Sequence, residues 1–311
     1  MAGSASEAIG RAVSEVLGVP LVGRDVRRFP DGEMQVELVD PVRGRDVFIL
    51  QATSPPVEAH AMELLLLADA CRRGGARKLI GVIPYLGYAR QDRRAGDKSL
   101  GARVAADLIT TGRFERLMAI DVHTPAIEGF FNIPIEHLTA APTLAHAVAR
   151  HLRPHSIIVA PDFGAVKLAR AYARLLGFPI AFVQKTRLNG EAVAAQGVVG
   201  EVRGRAPLIV DDMLSTGGTL VAAVEALRAA GAVDPFVVAV THALLVARAR
   251  DLLRSLGLSW VATTDTVTID PAEPSIAVTS VAPLLAAAIR RTHRHQSLLD
   301  LDAVTFNTAG G

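Results

Sequence analysis

Short apolar runs alternate with longer amphipathic stretches along almost the whole chain. Each run consists mostly of Val, Ile, Leu, Phe or Ala and is bounded by polar or turn residues, which is typical of a strand buried on both faces. Strands that alternate with helices form βαβ units, so the sequence predicts an α/β protein whose mostly parallel sheets are flanked by helices. The predicted strands are Val47–Leu50, Leu79–Ile83, Leu117–Ile120, Ile157–Ala160, Ile180–Val183, Leu208–Val210, Phe236–Val240 and Trp260–Ala262.

Two of the amphipathic stretches show a helical period. The stretch Thr219–Ala230 has the i, i+3, i+4, i+7 spacing of a helix with one buried face, made of Leu220, Ala223, Val224 and Leu227. Gly231 follows it as the predicted C-terminal cap. In the stretch Glu58–Arg73, the side that we expect to be buried carries Met62, Leu65, Leu66 and Ala70.

Length and charge exclude several kinds of protein. The 311 residues suffice for two domains of ordinary size, and 33 Lys and Arg against 31 Asp and Glu leave a net charge of +2. So small a charge argues against a general nucleic-acid-binding surface or a polybasic membrane anchor, but it permits a local anion site. The longest uncharged run, Pro274 to Ile289, is too short to span a membrane. No secretory signal is visible and Cys71 has no disulfide partner, so we expect a cytoplasmic protein.

A short charge-free segment, Leu138–Pro142, predicts the domain boundary. We expect an N-terminal domain over residues 1–140 and a C-terminal domain over residues 141–280. Residues 281–311 would form a helix and a tail that pack back on the N-terminal domain. The stretch Lys185–Arg205 is rich in glycine and charge, and we expect it to form a long functional loop between two strands.

The strongest functional motif is Leu208–Leu220, with the sequence LIVDDMLSTGGTL. An apolar strand leads into two carboxylates, and a Ser-Thr-Gly-Gly-Thr turn then begins a helix. Ligands of open α/β sheets bind at the carboxyl ends of strands, and backbone N–H groups at a helix N-terminus favour phosphate. Asp211 and Asp212 could hold ribose hydroxyls, directly or through a metal. The alternative is an ordinary strand-to-helix turn with Asp and Ser as caps.

Other polar residues also follow predicted strands. Arg90 and Gln91 offer hydrogen-bond donors to phosphate oxygens, and the alternative for this segment is a solvated charged loop. His123 and Asp162 are candidate ligands of a divalent cation, although a lone histidine is more often structural. Lys185 and Arg187 stand two residues apart, so both cations could face one polyphosphate on an extended chain.

Several motifs resemble those of ribose-phosphate diphosphokinases, the phosphoribosyl pyrophosphate synthetases. They occur in the order of that family and cover nearly the whole chain. Besides the turn at Ser215–Thr219, they are Phe29–Glu33 (FPDGE), Tyr88–Arg94 (YARQDRR), Asp121–His123, Glu128–Phe131, Ala160–Asp162, Lys185–Arg187 and Ser280–Leu285. The fold implied by this resemblance is two tandem phosphoribosyltransferase-like domains. The implied reaction transfers the diphosphoryl group of ATP to the C1 hydroxyl of ribose 5-phosphate, leaving AMP.

The resemblance also implies roles for individual residues. Lys185 and Arg187 would be catalytic, and His123 and Asp162 would bind Mg²⁺. ATP would be bound by Phe29, Asp31, Glu33, Arg90 and Gln91, and ribose 5-phosphate by Asp211, Asp212, Ser215, Thr216, Gly217, Gly218 and Thr219. The resemblance further implies a homo-oligomer built from dimers, up to a hexamer, in which the FPDGE loop reaches a neighbouring subunit's nucleotide site. We identify no general base.

The chain departs from the family pattern at three places. Ser215 stands where many members carry Asp, which resembles the archaeal-type branch of the family. The family's first strand is expected to be absent, because the sequence starts almost at the opening helix. The residues after Asp162 contain less glycine than in the better-known branch.

Two other functions remain open from the sequence. A phosphoribosyltransferase of nucleotide salvage would account for the STGGT turn, but it would not need the FPDGE, RQD and KTR motifs. A non-catalytic regulatory partner of the synthetase would account for the fold, but such a protein should have lost loop cations or metal ligands.

Overall fold

The computed structural model describes residues 1–94, 96–189, 192–269, 276–299 and 301, and at 185–189 and 192–196 it describes the backbone alone. The chain divides into two compact units. Unit 1 contains residues 1–139, residues 266–268 and the described part of 280–302. Unit 2 contains residues 140–265 and the described part of 269–279.

The described helices and strands alternate in the order that the sequence predicts. The helices are α1 (Glu7–Leu17), α2 (Val57–Arg73), α3 (Gly101–Thr110), α4 (Ala141–Ala149), α5 (Val166–Leu176), α6 (Gly218–Ala229), α7 (Ala249–Ser255) and α8 (Ala282–His293). The strands are β1 (Arg24–Arg28), β2 (Met34–Leu38), β3 (Asp46–Leu50), β4 (Lys78–Ile83), β5 (Arg116–Ile120), β6 (Ile135–Leu138), β7 (Ser156–Ala160), β8 (Ile180–Asn189), β9 (Ala192–Val199), β10 (Ala206–Leu214), β11 (Val237–Ala243), β12 (Trp260–Thr264) and β13 (Ile276–Thr279).

Unit 1 is built on a parallel sheet with the strand order β3-β4-β5-β6. Strands β1 and β2 form a separate antiparallel hairpin. On one face of the parallel sheet, alternate strand residues such as Val47, Ile49 and Leu117 form a hydrophobic cluster with Leu64 and Leu67 of α2. The intervening strand residues, among them Val82 and Met118, are buried as well. Helix α8 also belongs to unit 1, where it packs against α1.

Unit 2 is built on a sheet with the strand order β13-β12-β11-β10-β7-β8-β9. All neighbouring pairs are parallel except β8 and β9, which are antiparallel. Strand β10 carries Leu208 and Val210 toward one hydrophobic cluster and Ile209 toward another, so its apolar residues are buried on both faces as expected.

Seven of the eight predicted strands lie inside observed strands, and the run at Phe236 begins one residue before β11. The sequence reading missed β1, β2, β6, β9 and β13. Strands β1 and β2 are partly exposed and carry charged residues, while β6 and β13 have only four residues each. None of these four has the continuous apolar run of a strand buried on both faces, whereas β9 begins with the apolar run 192–195.

The predicted buried face of α2 is wrong. The buried residues are Glu63, Leu64, Leu67, Ala68 and Cys71, whereas Met62 is 53% exposed and Leu65 and Leu66 are only half-buried. The Leu64–Leu67 run places leucine on every side of the helix, so the pattern alone could not select the buried face. For α6 the prediction is confirmed, because Leu220, Ala223, Val224 and Leu227 are all buried.

Two further expectations need correction. Much of the predicted long loop after Lys185 is the antiparallel β8–β9 pair, with register shifts near Gln184 and Arg187. At the N-terminus, Ala2 forms a parallel bridge with Leu50, and the backbone of Gly3 donates to Leu50 at 2.8 Å. A short extended segment therefore lies beside β3 where the sequence predicted no strand.

In the part of the chain that the structure describes, no helix is both long and apolar enough to cross a membrane.

Candidate active site at the carboxyl ends of the strands

The two acidic residues of the strongest motif lie inside β10 rather than after it. Strand β10 continues to Leu214, and Asp211 still pairs with Val240 of β11. The backbone N–H of Asp212 donates to Asp211 Oδ1 at 2.9 Å. The carboxylates are therefore held on a rigid strand end, which fixes their position better than a flexible loop would.

The Asp211 carboxyl is surrounded by protein, although the residue as a whole keeps some exposure. Burial raises the pKa of Asp211 well above its ordinary value, and the negative charges of Asp212 and Asp162 raise it further. Asp162 follows β7, the strand next to β10 in the sheet. The fold thus brings three predicted site residues together at one edge of unit 2, where they repel one another and attract hydrogen-bond donors or a cation.

The Ser215–Thr219 turn connects β10 to α6. Gly217 is the N-cap of α6 and has φ = 85°, a left-handed conformation that glycine adopts without steric cost. The turn is tied down by Val246, whose N–H donates to the carbonyl of Ser215 at 3.2 Å. Thr216 and Gly218 are exposed. This arrangement presents backbone N–H groups and the positive end of the α6 dipole, which together favour a phosphate group.

Asp162 shapes its own turn. Its Oδ1 accepts hydrogen bonds from the N–H groups of Gly164, at 3.0 Å, and Ala165, at 3.4 Å. The neighbouring Phe163 is 60% exposed, and its ring lies 5.0 Å from that of Phe182 on β8.

In unit 1, His123 lies after β5 and is exposed. Asp121, two residues earlier, has φ = 39° and donates its N–H to Leu138 at 2.9 Å. A non-glycine residue in the left-handed region is uncommon and occurs often at functional sites. The strand end at Asp121 thus turns sharply before His123.

Arg90 and Gln91 are exposed and follow β4 after a buried turn. Tyr88 has φ = 63°, and its hydroxyl donates to Glu58 at 2.6 Å. The N–H of Gln91 donates to the carbonyl of Tyr88, and the carbonyl of Gln91 accepts from Ala102 in the first turn of α3. This segment is therefore held at both ends instead of being a free solvated loop.

The Phe29–Glu33 motif forms the tip of the β1–β2 hairpin. The N–H of Phe29 donates to the carbonyl of Glu33, and Asp31 Oδ1 accepts from the N–H of Glu33 at 3.0 Å. Gly32 has φ = 95°, and Phe29 is 49% exposed. An aromatic ring is therefore presented outward at the tip of a well-ordered turn.

For Lys185 and Arg187 the structure describes the backbone only. Both lie in β8, where Lys185 pairs with Ala195 and Arg187 with Val193 of β9. Their side chains lie outside the described part of the chain.

A magnesium ion is compatible with these residues. Among the described residues, no group of three or more His, Cys, Asp or Glu is arranged to hold a metal ion. Mg²⁺ usually keeps several waters and takes only one or two carboxylates plus substrate phosphates. The mutual repulsion of Asp162, Asp211 and Asp212 would be relieved by a hard cation, so the donor set fits one.

Sequence reasoning missed several buried polar residues near the strand ends. Thr53 follows β3 and is 2% exposed, Glu63 of α2 is fully buried, and His242 near the end of β11 is 2% exposed. Thr53 and His242 carry the same signal as Asp162, namely a polar residue at the end of an apolar strand. Glu63 gave no such signal, because a glutamate within a helix is normally exposed.

Fold and site together define the class of protein. Unit 2 has a mostly parallel sheet with an acidic strand end and a glycine turn that begins a helix, which is the arrangement of a phosphoribosyltransferase-type α/β domain. Residues 143–272 match the sequence model of the phosphoribosyl transferase domain, and residues 1–112 match the N-terminal domain of ribose phosphate pyrophosphokinase. The chain belongs to the ribose-phosphate pyrophosphokinase family.

Similar proteins cover the full length. The chain is 40% identical to a ribose-phosphate pyrophosphokinase of Maricaulis maris, over 97% of this chain and 98% of the relative. It is 39% identical to that of Caldanaerobacter subterraneus, over 96% of both. A crystal structure of phosphoribosylpyrophosphate synthetase from Mycobacterium smegmatis superposes with a TM-score of 0.87 at 36% identity, covering 94% of this chain and 98% of that one. The predicted fold class, two phosphoribosyltransferase-like domains, is confirmed.

Proposed function

We propose that the chain transfers the β,γ-diphosphoryl group of ATP to the C1 hydroxyl of ribose 5-phosphate, forming 5-phosphoribosyl 1-diphosphate and AMP for nucleotide biosynthesis. The C1 oxygen attacks the β-phosphorus, the bond from the β-phosphorus to the α–β bridging oxygen breaks, and the hydroxyl proton is released. The observation that carries the proposal is the edge of unit 2, where Asp211 and Asp212 precede the Ser215–Thr219 turn and the N-terminus of α6. The full-length relatives support it.

The proposal places ribose 5-phosphate at this edge with its phosphate at the turn and its ring at the carboxylates. Its phosphate would accept hydrogen bonds from the Ser215–Thr219 turn, where N–H groups and the helix dipole favour an anion. Its ring hydroxyls would donate to Asp211 and Asp212, in addition to the N–H of Asp212 that already donates to Asp211 Oδ1. The C1 hydroxyl would then be left free to attack.

ATP would be held by residues of unit 1. The ring of Phe29 would stack on adenine, with Asp31 and Glu33 accepting hydrogen bonds from the nucleoside. Arg90 and Gln91 would donate to phosphate oxygens. Lys185 and Arg187 would neutralise the charge that develops on the transferred group, which is the main demand of phosphoryl-type transfer.

His123 and Asp162 would bind Mg²⁺, which when bound screens phosphate charge and orients the diphosphoryl group. We also propose a cytoplasmic homo-oligomer built from dimers, up to a hexamer, in which the Phe29–Glu33 tip reaches a neighbouring subunit. Ser215 favours the archaeal-type branch, although the relatives found come mostly from bacteria.

The test is AMP formation from ATP by the purified chain, measured with and without ribose 5-phosphate and Mg²⁺. We expect AMP only when both are present, together with an equal amount of 5-phosphoribosyl 1-diphosphate. A phosphoribosyltransferase of salvage would instead release diphosphate from 5-phosphoribosyl 1-diphosphate and a nucleobase. A non-catalytic partner would form no product, and either result would contradict the proposal.

A further inference from the structure

A buried threonine joins the end of β3 to the segment that carries Arg90 and Gln91. The hydroxyl of Thr53 donates to the carbonyl of Tyr85 at 3.1 Å and accepts from the N–H of Gly87 at 2.7 Å. The N–H of Thr53 donates to the same Tyr85 carbonyl at 2.9 Å. Three hydrogen bonds therefore fix the turn after β4 to a residue that is only 2% exposed.

Gly87 in this turn lies very close to Thr53 and Val57. A Cβ on Gly87 would lie 2.7 Å from the carbonyl oxygen of Thr53 and 2.7 Å from Val57 Cγ1. The backbone of Gly87 therefore packs directly against the backbone of Thr53, with no room for a side chain between them. This close packing holds the turn in place beside the segment that follows β3. The Thr53 hydroxyl is the only side-chain group described as bonded to the Gly87 N–H, so its loss would leave that N–H buried and unsatisfied.

The position of this turn determines where Arg90 and Gln91, the predicted ATP-binding residues, lie. Tyr88 follows Gly87 directly, bonds Glu58 through its hydroxyl at 2.6 Å and accepts the N–H of Gln91 at 2.9 Å. Gln91 in turn caps α3 through Ala102, and its side chain lies over Gly101, where a Cβ would come within 2.4 Å of Gln91 Oε1. Residues 88–91 thus run between two fixed points, Thr53 and the start of α3.

We infer that Thr53 is a positioning residue for ATP: through Gly87 and Tyr88 it sets the place of Arg90 and Gln91 without contacting the nucleotide itself. The inference rests on the proposed function, since it assigns Arg90 and Gln91 to ATP. It concerns the affinity for ATP alone, because Thr53 belongs to unit 1 and the residues that we assign to ribose 5-phosphate belong to unit 2.

The experiment compares wild type with Thr53→Val, which keeps the shape of the side chain and removes the hydroxyl, and with Thr53→Ser, which restores the hydroxyl. Calorimetric titration with a non-hydrolysable ATP analogue and, separately, with ribose 5-phosphate gives both dissociation constants. We expect T53V to weaken ATP-analogue binding roughly five- to tenfold, the effect of one lost buried hydrogen bond, and T53S to return it to near wild type. Ribose 5-phosphate binding should change less than about twofold.

A matched control is Thr110→Val in α3 of the same unit, whose hydroxyl donates to Ala106 at 2.8 Å within its own helix. It should leave both dissociation constants unchanged. A purely structural role for Thr53 would lower the bound fraction for both ligands equally, whether or not serine rescues it. That outcome, or ATP binding that T53V leaves unchanged, would overturn the inference.

If T53V does not fold, Tyr88→Phe tests the same chain of contacts at a partly exposed position, and we expect weaker ATP binding with unchanged ribose 5-phosphate binding. Unchanged ATP binding by that variant would overturn the inference. A wild type that binds the ATP analogue but forms no AMP would contradict the proposed reaction and leave the positioning result valid. A wild type that does not bind the analogue would overturn both.

Discussion

The carboxylate of Glu63 accepts hydrogen bonds from both the backbone N–H and the hydroxyl of Ser4, 59 residues away along the chain. The N–H bond is 2.7 Å long, and Gln51 Nε2 donates to the same carboxylate at 3.1 Å. Glu63 is fully buried, so these neutral donors replace the water that a carboxylate normally binds. The contact attaches the opening turn of the chain to α2.

Removing this carboxylate should destabilise the protein. We expect Glu63→Ala to lower the free energy of unfolding by roughly 1–3 kcal/mol, because the buried Gln51 amide and the N–H of Ser4 lose their acceptor. Glu63→Gln, which keeps one acceptor oxygen, should cost less. Urea unfolding followed by circular dichroism measures both, with the exposed Glu15→Gln on α1 as a control that should match wild type. Equal stability of E63A and wild type would contradict the role of the contact.

Replacing Asp211 should separate stability from function. The pKa of Asp211 is raised in the folded state, so its contribution to stability is complete below its unfolded pKa near 4 and is lost as the pH rises through the folded pKa. Asp211→Asn should therefore raise the melting temperature at neutral pH and flatten its decline with pH. It should also weaken ribose 5-phosphate binding by about tenfold or more, because the amide replaces one acceptor oxygen of the carboxyl group with a donor.

Melting curves between pH 4 and pH 9, with titration of ribose 5-phosphate, test this prediction. Asp107→Asn on the exposed face of α3 serves as control and should change neither quantity. A lower melting temperature for D211N at neutral pH would show that the folded protein stabilises the charged form.

Lys185→Ala should reduce the rate of AMP formation more than it reduces substrate binding. If the cation acts on charge that develops during transfer, kcat should fall on the order of 100-fold or more while both KM values change little. Arg174→Ala, an exposed cation on α5, is the control and should retain wild-type kinetics. A higher KM with unchanged kcat would mean that Lys185 only binds substrate.

Metal removal should abolish activity without unfolding the protein. We expect EDTA to stop AMP formation and added Mg²⁺ to restore it, with the circular dichroism spectrum unchanged, because both cores are apolar and need no ion. Asp162→Asn and His123→Ala should each raise the Mg²⁺ concentration required for half-maximal activity. Wild-type Mg²⁺ dependence in both variants would remove these residues from the metal site.

Much of the fold was predictable because strands buried on both faces need continuous apolar runs. The runs at Leu79–Ile83 and Ile157–Ala160 could hardly form anything else between two helical stretches. Candidate site residues could be found for a related reason. Neighbouring parallel strands end at the same edge of a sheet, so a polar residue after each run identifies that edge, as at Asp162 beside β10.

The sequence by itself determined the α/β class, the positions of most strands along the chain, and the acidic, glycine-rich end of β10. These features depend on residue type and local spacing. Only the tertiary structure decided which side of α2 is buried, since leucine stands on every side of that helix. It also decided that Thr53 and Glu63 hold distant segments in place. A buried hydrogen bond depends on which donors meet which acceptors in space, and residues 34 or 59 positions apart give no periodic signal of that meeting.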